Sequence, residues 1–222
     1  MDEFEELLQR IRACDKDQKQ DIFAEIRDSI LIHELENKFH VRAEVILGAI
    51  DRASDLTQRG VRGLIAETAF VVDIIPTLQG WHDEPPVGDL SYDACLCRGN
   101  HRVRVQVKMQ RRIRGLPMRR EGAFCVEVQR TRNGQKDGVS TRPYRFGEFD
   151  LLAVCMAAST GNWHAFMYAP TRALQADPRV DDRSVIQTLQ TVPEYPGPAE
   201  GPWTSDLSLA LERLTDGGAA RR

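Results

Sequence analysis

From Arg102 to Lys108 the chain alternates strictly, Arg-Val-Arg-Val-Gln-Val-Lys. Side chains on a strand point to opposite faces in turn, so this run reads as a β-strand with valines on one side and Arg104, Gln106 and Lys108 on the other. A strand of this kind needs neighbours. Tyr92 to Cys97 supplies one across a turn at Arg98-Gly99-Asn100-His101, and Phe124 to Gln129 reads as a third strand. Phe149 to Met156 is almost continuously apolar, as expected of a strand buried on both faces, and Trp163 to Tyr168 closes the series after a turn at Thr160-Gly161-Asn162.

The region before this sheet is helical in pattern. Phe4, Leu7, Leu8 and Ile11, then Ile22, Phe23, Ile26 and Ile30, then Val41, Val45, Ile46 and Ile50 recur at helical spacing, predicting three helices with breaks near Asp15 and from Asn37 to His40. A further helix, capped from Ser54 to Thr57, carries Leu64, Thr68, Val71, Ile75 and Leu78 and ends around Pro76 and Gly80. Glu67 lies within it. After Thr171 a polar stretch from Pro193 to Pro202 leads to one last helix, Ser205 to Leu214. The expected architecture is α/β: a mixed central sheet flanked by helices, with a helical N-terminal extension. The expected divisions are an N-terminal helical region over 1–58, a core over 59–172, and a C-terminal tail with one helix over 173–222.

Exported and membrane classes fit poorly. No run approaches the roughly 18 apolar residues of a membrane helix, and the start Met1-Asp2-Glu3-Phe4-Glu5-Glu6 is acidic where a secretory segment is basic. The five cysteines, Cys14, Cys95, Cys97, Cys125 and Cys155, are scattered and contain no C-x-x-C, which suggests neither a disulfide framework nor a zinc finger and fits a reducing cytoplasm.

The formal net charge of −3 hides a concentration. Between Arg98 and Gly147 fourteen cations face only Glu121, Glu127 and Asp137, so this segment carries +11 and the remainder −14. Twelve of the fourteen are arginine, suited to bidentate contacts with phosphate, although a solvated basic face has the same composition.

Phosphodiester hydrolysis at neutral pH uses a divalent cation on hard oxygen ligands and a positive charge near the reacting phosphate. Asp93 stands thirteen residues before Gln106, and a hairpin through Arg98 to His101 brings it beside Gln106 and Lys108, which share a face. Asp89 is the rival aspartate; Asp93 is preferred because it directly precedes an apolar strand. Glu127-x-Gln129 is a second acid–amide pair on a strand, a possible second half of a site or a solvent-facing edge. The five histidines lack metal-ligand spacing, and His82 is the one nearest this region.

The order of a helix with Glu67, a strand with Asp93, a strand with Gln106-x-Lys108 and a buried strand over Phe149 to Met156 resembles the PD-(D/E)XK nuclease superfamily. Val105 to Lys108 and Thr141 to Val154 are most similar to group I intron-associated homing endonucleases and small type II restriction enzymes. The resemblance spans about 59 to 170, and an isolated D-x12-Q-x-K string is weak without that order. It implies Asp93 as metal-binding aspartate, Lys108 as catalytic lysine and Glu67 as a helix-borne acid, with Gln106 and the Val107 carbonyl as neutral metal ligands. Tyr92 and Gln106 depart from the family pattern, the latter replacing a charged ligand with an amide. Also implied are Mg²⁺, with Mn²⁺ as substitute, double-stranded DNA as partner, and a homodimer that would place two active sites on a duplex. Arg104, Arg111, Arg112, Arg114, Arg142, Tyr144 and Arg145 are the expected DNA contacts. The function expected is a type II restriction endonuclease; a homing, repair or junction nuclease of the same fold, or a non-catalytic DNA-binding protein on a degenerate nuclease fold, remain the alternatives. For the N-terminal helices a dimerisation or scaffold role is weighed against a helix-turn-helix over Phe39 to Ala69.

Overall fold

In a computed structural model the protein is described over residues 2–30, 33–88, 90–130, 135–136, 139–140, 142–197 and 200–215. Two compact units divide it, Met1–Arg59 and Gly60–Arg222.

The first unit holds α1 (Glu3–Ala13), α2 (Lys16–Ser29), α3 (Leu35–Phe39) and α4 (Ala43–Asp51). The break at Asp15 falls where expected, and a capping box fixes it, with Gln18 and Asp15 bonded reciprocally. Four helices stand where the periodicity predicts three, because a second break follows Ser29. Its cause is polar. Buried Glu36 accepts from the backbone N–H of Ala43 at 2.6 Å and pairs with Arg27, which also reaches Glu44 at 3.0 Å. That network shortens α3 to five residues, whose end at His40 takes a left-handed conformation. The unit leaves Phe4, Phe23, Phe39 and Leu47 largely exposed.

The second unit begins inside α5 (Asp55–Ala69), which continues as a π-helical turn over Phe70–Ile74 and a 3₁₀ turn over Ile75–Thr77. The π turn adds a residue to the helical repeat, so the buried face runs through Ala66, Phe70, Ile75 and Leu78, and Leu64, expected on that face, is exposed.

The main sheet has five strands in the order β1-β2-β3-β6-β7: β1 (His82–Asp83), β2 (Ala94–Arg98), β3 (His101–Met109), β6 (Leu151–Cys155) and β7 (Phe166–Pro170). All neighbours are antiparallel except β3 and β6, which are parallel with Gln106 opposite Leu152. Arg104 and Asp150 set that register: the Arg104 backbone N–H and guanidinium bind the Asp150 carboxylate at 2.8 to 2.9 Å, and the Asp150 N–H returns to the Arg104 carbonyl at 2.8 Å. A smaller sheet contains β4 (Arg119–Arg120), β5 (Ala123–Glu127) and β8 (Leu189–Val192), with β5 in the middle.

The alternation in β3 divides the core. Val103, Val105 and Val107 face a cluster with Ala66, Phe70, Leu207 and Leu211, the last two from the final helix α7 (Leu207–Thr215). A four-residue helix, α6 (Ala157–Thr160), follows β6. On the other face Leu152, Val154 and Met167 pack against Phe124, Val126 and Val192 of the smaller sheet and against Ile186. The stretch after 173 therefore contributes a strand as well as the expected helix. Among the described residues no helix is long and apolar enough to cross a membrane. All five cysteines are free thiols.

Candidate active site

On the second face of β3, Gln106 is wholly buried and Lys108 half-buried. Asp93 stands one residue before β2, and its N–H binds the Val105 carbonyl at 2.9 Å, which places it across from Gln106. The Asp93 Oδ2 accepts the Val107 backbone N–H at 2.8 Å and the Gln106 side-chain amide. Neither bond uses Oδ1. The Gln106 Oε1 in turn accepts from the Tyr144 hydroxyl at 3.1 Å. Lys108 Nζ lies 5.5 Å from the Tyr144 ring centroid, and the Arg130 guanidinium lies 5.0 Å from it.

Glu67 reaches this group electrostatically. Burial, reinforced by the negative charge of Asp93 and opposed by Lys108, pushes its carboxyl up to about 7. Burial also raises Asp93, against the pull of Lys108, the Val107 N–H and Gln106. For Lys108 burial lowers the pKa, the two carboxylates oppose that, and Arg130 adds to it. Two carboxylates and an ammonium thus act on one another's charge from partly buried positions, an arrangement that costs stability and that functional sites commonly contain.

The hard oxygens of Asp93 and Glu67 fit a divalent cation, which would relieve their mutual repulsion. Gln106, expected to offer its amide oxygen there, turns its NH₂ to Asp93 and gives the oxygen to Tyr144 instead. It fits a cation only with the amide ends exchanged, which a hydroxyl able to accept as well as donate permits. The Val107 carbonyl accepts from Gln106 Nε2 at 3.3 Å. Asp89, the rival aspartate, lies outside the described residues.

The expected DNA contacts are distributed differently from the sequence reading. Tyr144 is 4 % exposed and sits beneath the site as a hydrogen-bond donor, so it has no surface for a duplex. Arg104 is spent on Asp150, Arg111 pairs with Glu127 at 2.5 Å, and Arg145 pairs with Asp182 and binds Ser184 at 2.7 Å. Arg112 donates to the Gly115 carbonyl, Arg114 is exposed in a left-handed turn, and the Arg142 carbonyl accepts from the Arg130 N–H at 2.9 Å. The basic segment is thereby partly neutralised by acids beyond it, among them Glu84, Glu148, Asp150, Asp182 and Glu194. A sum along the chain misses partners that the fold brings in from elsewhere. Glu127 of the second acid–amide pair is held by Arg111 and Gln129. Arg130 escaped the sequence reading as a site residue; nothing but its membership of the basic segment marked it.

No protein-family model matches the chain, and no curated protein matches it. Among solved structures, that of a bacterial homing endonuclease, I-Ssp6803I, aligns with a TM-score of 0.45 and 22 % identity, over 73 % of this chain and 96 % of that one. A likeness this loose says nothing of chemistry.

Proposed function

We propose that this chain is a Mg²⁺-dependent endonuclease of double-stranded DNA, of the sequence-specific type II restriction kind. The observation that carries the reading is the convergence of Asp93, Glu67 and Lys108 beside Gln106, at the place where the family resemblance puts a nuclease centre. Asp93 and Glu67 would hold the cation, with Gln106 and the Val107 carbonyl as neutral donors. When bound it supplies Lewis-acid activation of water and shields phosphate charge. Lys108, drawn close to the carboxylates, holds a positive charge where the phosphate becomes more negative in the transition state. Gln106 and the Val107 N–H keep the Asp93 carboxylate in one orientation. Tyr144 and Arg130 form the floor under Lys108.

Arginines of the basic segment, exposed Arg114 among them, would contact phosphate along the duplex. The exposed Phe4, Phe23, Phe39 and Leu47 of the N-terminal unit support a role for it in homodimerisation. Such a dimer would present two sites to a palindrome. The region boundaries read from the sequence, 1–58, 59–172 and 173–222, accompany this proposal.

Plasmid cleavage by the full chain tests it. Discrete fragments are expected with Mg²⁺ or Mn²⁺ and none with chelator. Cutting confined to branched DNA would reassign the chain to junction processing, and a single long asymmetric target would reassign it to homing. Binding without cleavage in both metals would overturn the enzyme reading.

A further inference from the structure

Four potential metal donors outside the nuclease site lie together on one face of β1 and β2. His82-x-Glu84 and Cys95-x-Cys97 are each spaced by two, so each pair projects from one side of its strand. The antiparallel register sets His82 opposite Cys97, and the Glu84 N–H, bonded to the Cys95 carbonyl at 2.8 Å, continues the ladder so that Glu84 faces Cys95. The result is a two-by-two patch of an imidazole, a carboxylate and two thiols.

We propose that His82, Glu84, Cys95 and Cys97 form a zinc site that staples β1 to β2. The donor atoms of His82, Glu84 and Cys97 all lie within 4.8 Å of one another, and the Cys95 and Cys97 sulfurs are 3.9 Å apart. Two thiolates bound to tetrahedral zinc at about 2.3 Å stand about 3.8 Å from each other, so the sulfurs already have the required separation. His82 Nε2 and Glu84 Oε1 are 3.7 Å apart, close to the same edge. Two sulfurs and an imidazole select a borderline-soft ion such as Zn²⁺ over Mg²⁺, which separates this site from the all-oxygen donors of Asp93 and Glu67. Arg102, opposite Cys97, pairs with Glu84 through Oε2 and leaves Oε1 toward the patch, the role of an outer residue that orients a ligand. Binding forms two Zn–S bonds and releases both thiol protons to solvent.

The site has structural work to do. β1 is only two residues long, and it lies on the connection from the helix bearing Glu67 to the strand that follows Asp93. Pinning it to β2 fixes the path between two carboxylates that must act together. The missing C-x-x-C argued against a zinc finger, but here the donors come in pairs from two strands, so that motif is not needed.

Cobalt titration of the full-length, reduced, chelator-stripped protein tests the site. One tetrahedral Co²⁺ per chain is expected, with a thiolate-to-cobalt charge-transfer band and the visible bands of that geometry, all abolished by added Zn²⁺. Cys97→Ser, which removes one of the two thiolates, should lower the charge-transfer intensity by about half. His82→Ala, at an exposed position that leaves folding intact, should weaken Zn²⁺ binding at least about tenfold. Glu67→Gln and Asp93→Asn should leave the spectrum unchanged. Absence of the charge-transfer band, its undiminished intensity in both Cys95→Ser and Cys97→Ser, or a Cys95–Cys97 disulfide in the protein as isolated would overturn the proposal.

Discussion

Gln106 donates its side-chain amide to the same oxygen of Asp93 that accepts the Val107 backbone N–H. A carboxylate at position 106 would meet Asp93 as a like charge in a buried pocket, so the amide keeps the metal-free site together by supplying a donor. The neutral side chain that looks like a weakened metal ligand in the sequence is, in the fold, part of what holds Asp93 in place.

Gln106→Glu should therefore have opposite effects with and without metal. Without a divalent cation the new carboxylate is buried beside Asp93 and should destabilise the protein by about 2–4 kcal/mol. With Mg²⁺ the added charge should tighten binding and recover much of that loss. Thermal melts with and without Mg²⁺ read both effects, and a melting temperature unaffected by the substitution in chelator would show that the Gln106–Asp93 contact is unimportant.

Lys108→Met keeps the length of the side chain and removes its charge. Loss of a positioned cation at a reacting phosphate costs about 10²–10³-fold in cleavage rate, so nicking should fall by that factor. DNA binding measured in Ca²⁺ should stay within about twofold, because one phosphate contact among many contributes little to affinity. A parallel collapse of binding would instead make Lys108 an affinity residue.

Tyr144→Phe removes one hydroxyl from beneath the site. The ring should stay, packed edge-on against Phe149 at 5.4 Å and under Lys108. The buried Gln106 oxygen then lacks its donor, at a cost of about 1–2 kcal/mol in urea unfolding. DNA affinity should not change, since the residue has no surface on which to meet a duplex; a clear affinity loss would contradict its burial.

What the sequence disclosed follows from which forces are local. β3 could be read because strict alternation leaves a strand no other register, and Asp93, Gln106 and Lys108 could be grouped because a two-residue turn fixes the pairing across it. Glu67 came from order along the chain, while its pull on Lys108 depends on tertiary approach. The second break in the N-terminal helices was hidden because buried Glu36 and Arg27 settle it through contacts between helices. The π turn after Ala69 was hidden because hydrophobic spacing cannot announce an added residue. The partners of the arginines were hidden for a related reason: Arg104 and Asp150 are 46 positions apart, and only the parallel pairing of β3 with β6 brings them together.

Those pairs limit the salt response of DNA binding. Counterion release scales with the phosphates neutralised, at about −0.9 in log K against log salt for each. Were all fourteen cations between Arg98 and Gly147 free, the slope would approach about −13. With Arg102, Arg104, Arg111, Arg119, Arg120, Arg130 and Arg145 held by carboxylates and Lys108 in the site, a clearly shallower slope is expected. A salt titration with duplex DNA in Ca²⁺ measures it, and a slope near the larger value would mean that DNA breaks these pairs on binding.

Glu67 gives the metal-free protein a pH dependence whose sign is fixed. Its folded pKa of about 7 lies above the ordinary 4.5, so the folded state holds the proton more tightly than the unfolded chain. Stability from this group is then greatest below 4.5 and is lost as pH rises through 7, where a charge must be kept in a pocket already containing Asp93. Glu67→Gln removes the titration and should stabilise the metal-free protein at pH 8, by about 1–2 kcal/mol once solvent screening of a partly exposed group is allowed for. The same variant should show a flatter stability profile between pH 5 and 8 in denaturant melts. With Mg²⁺ the order should reverse, because the ion recovers for the native carboxylate what burial costs it and has no charge to recover in the amide. Equal stability of the two proteins at pH 8 in chelator would place Glu67 in water and away from Asp93.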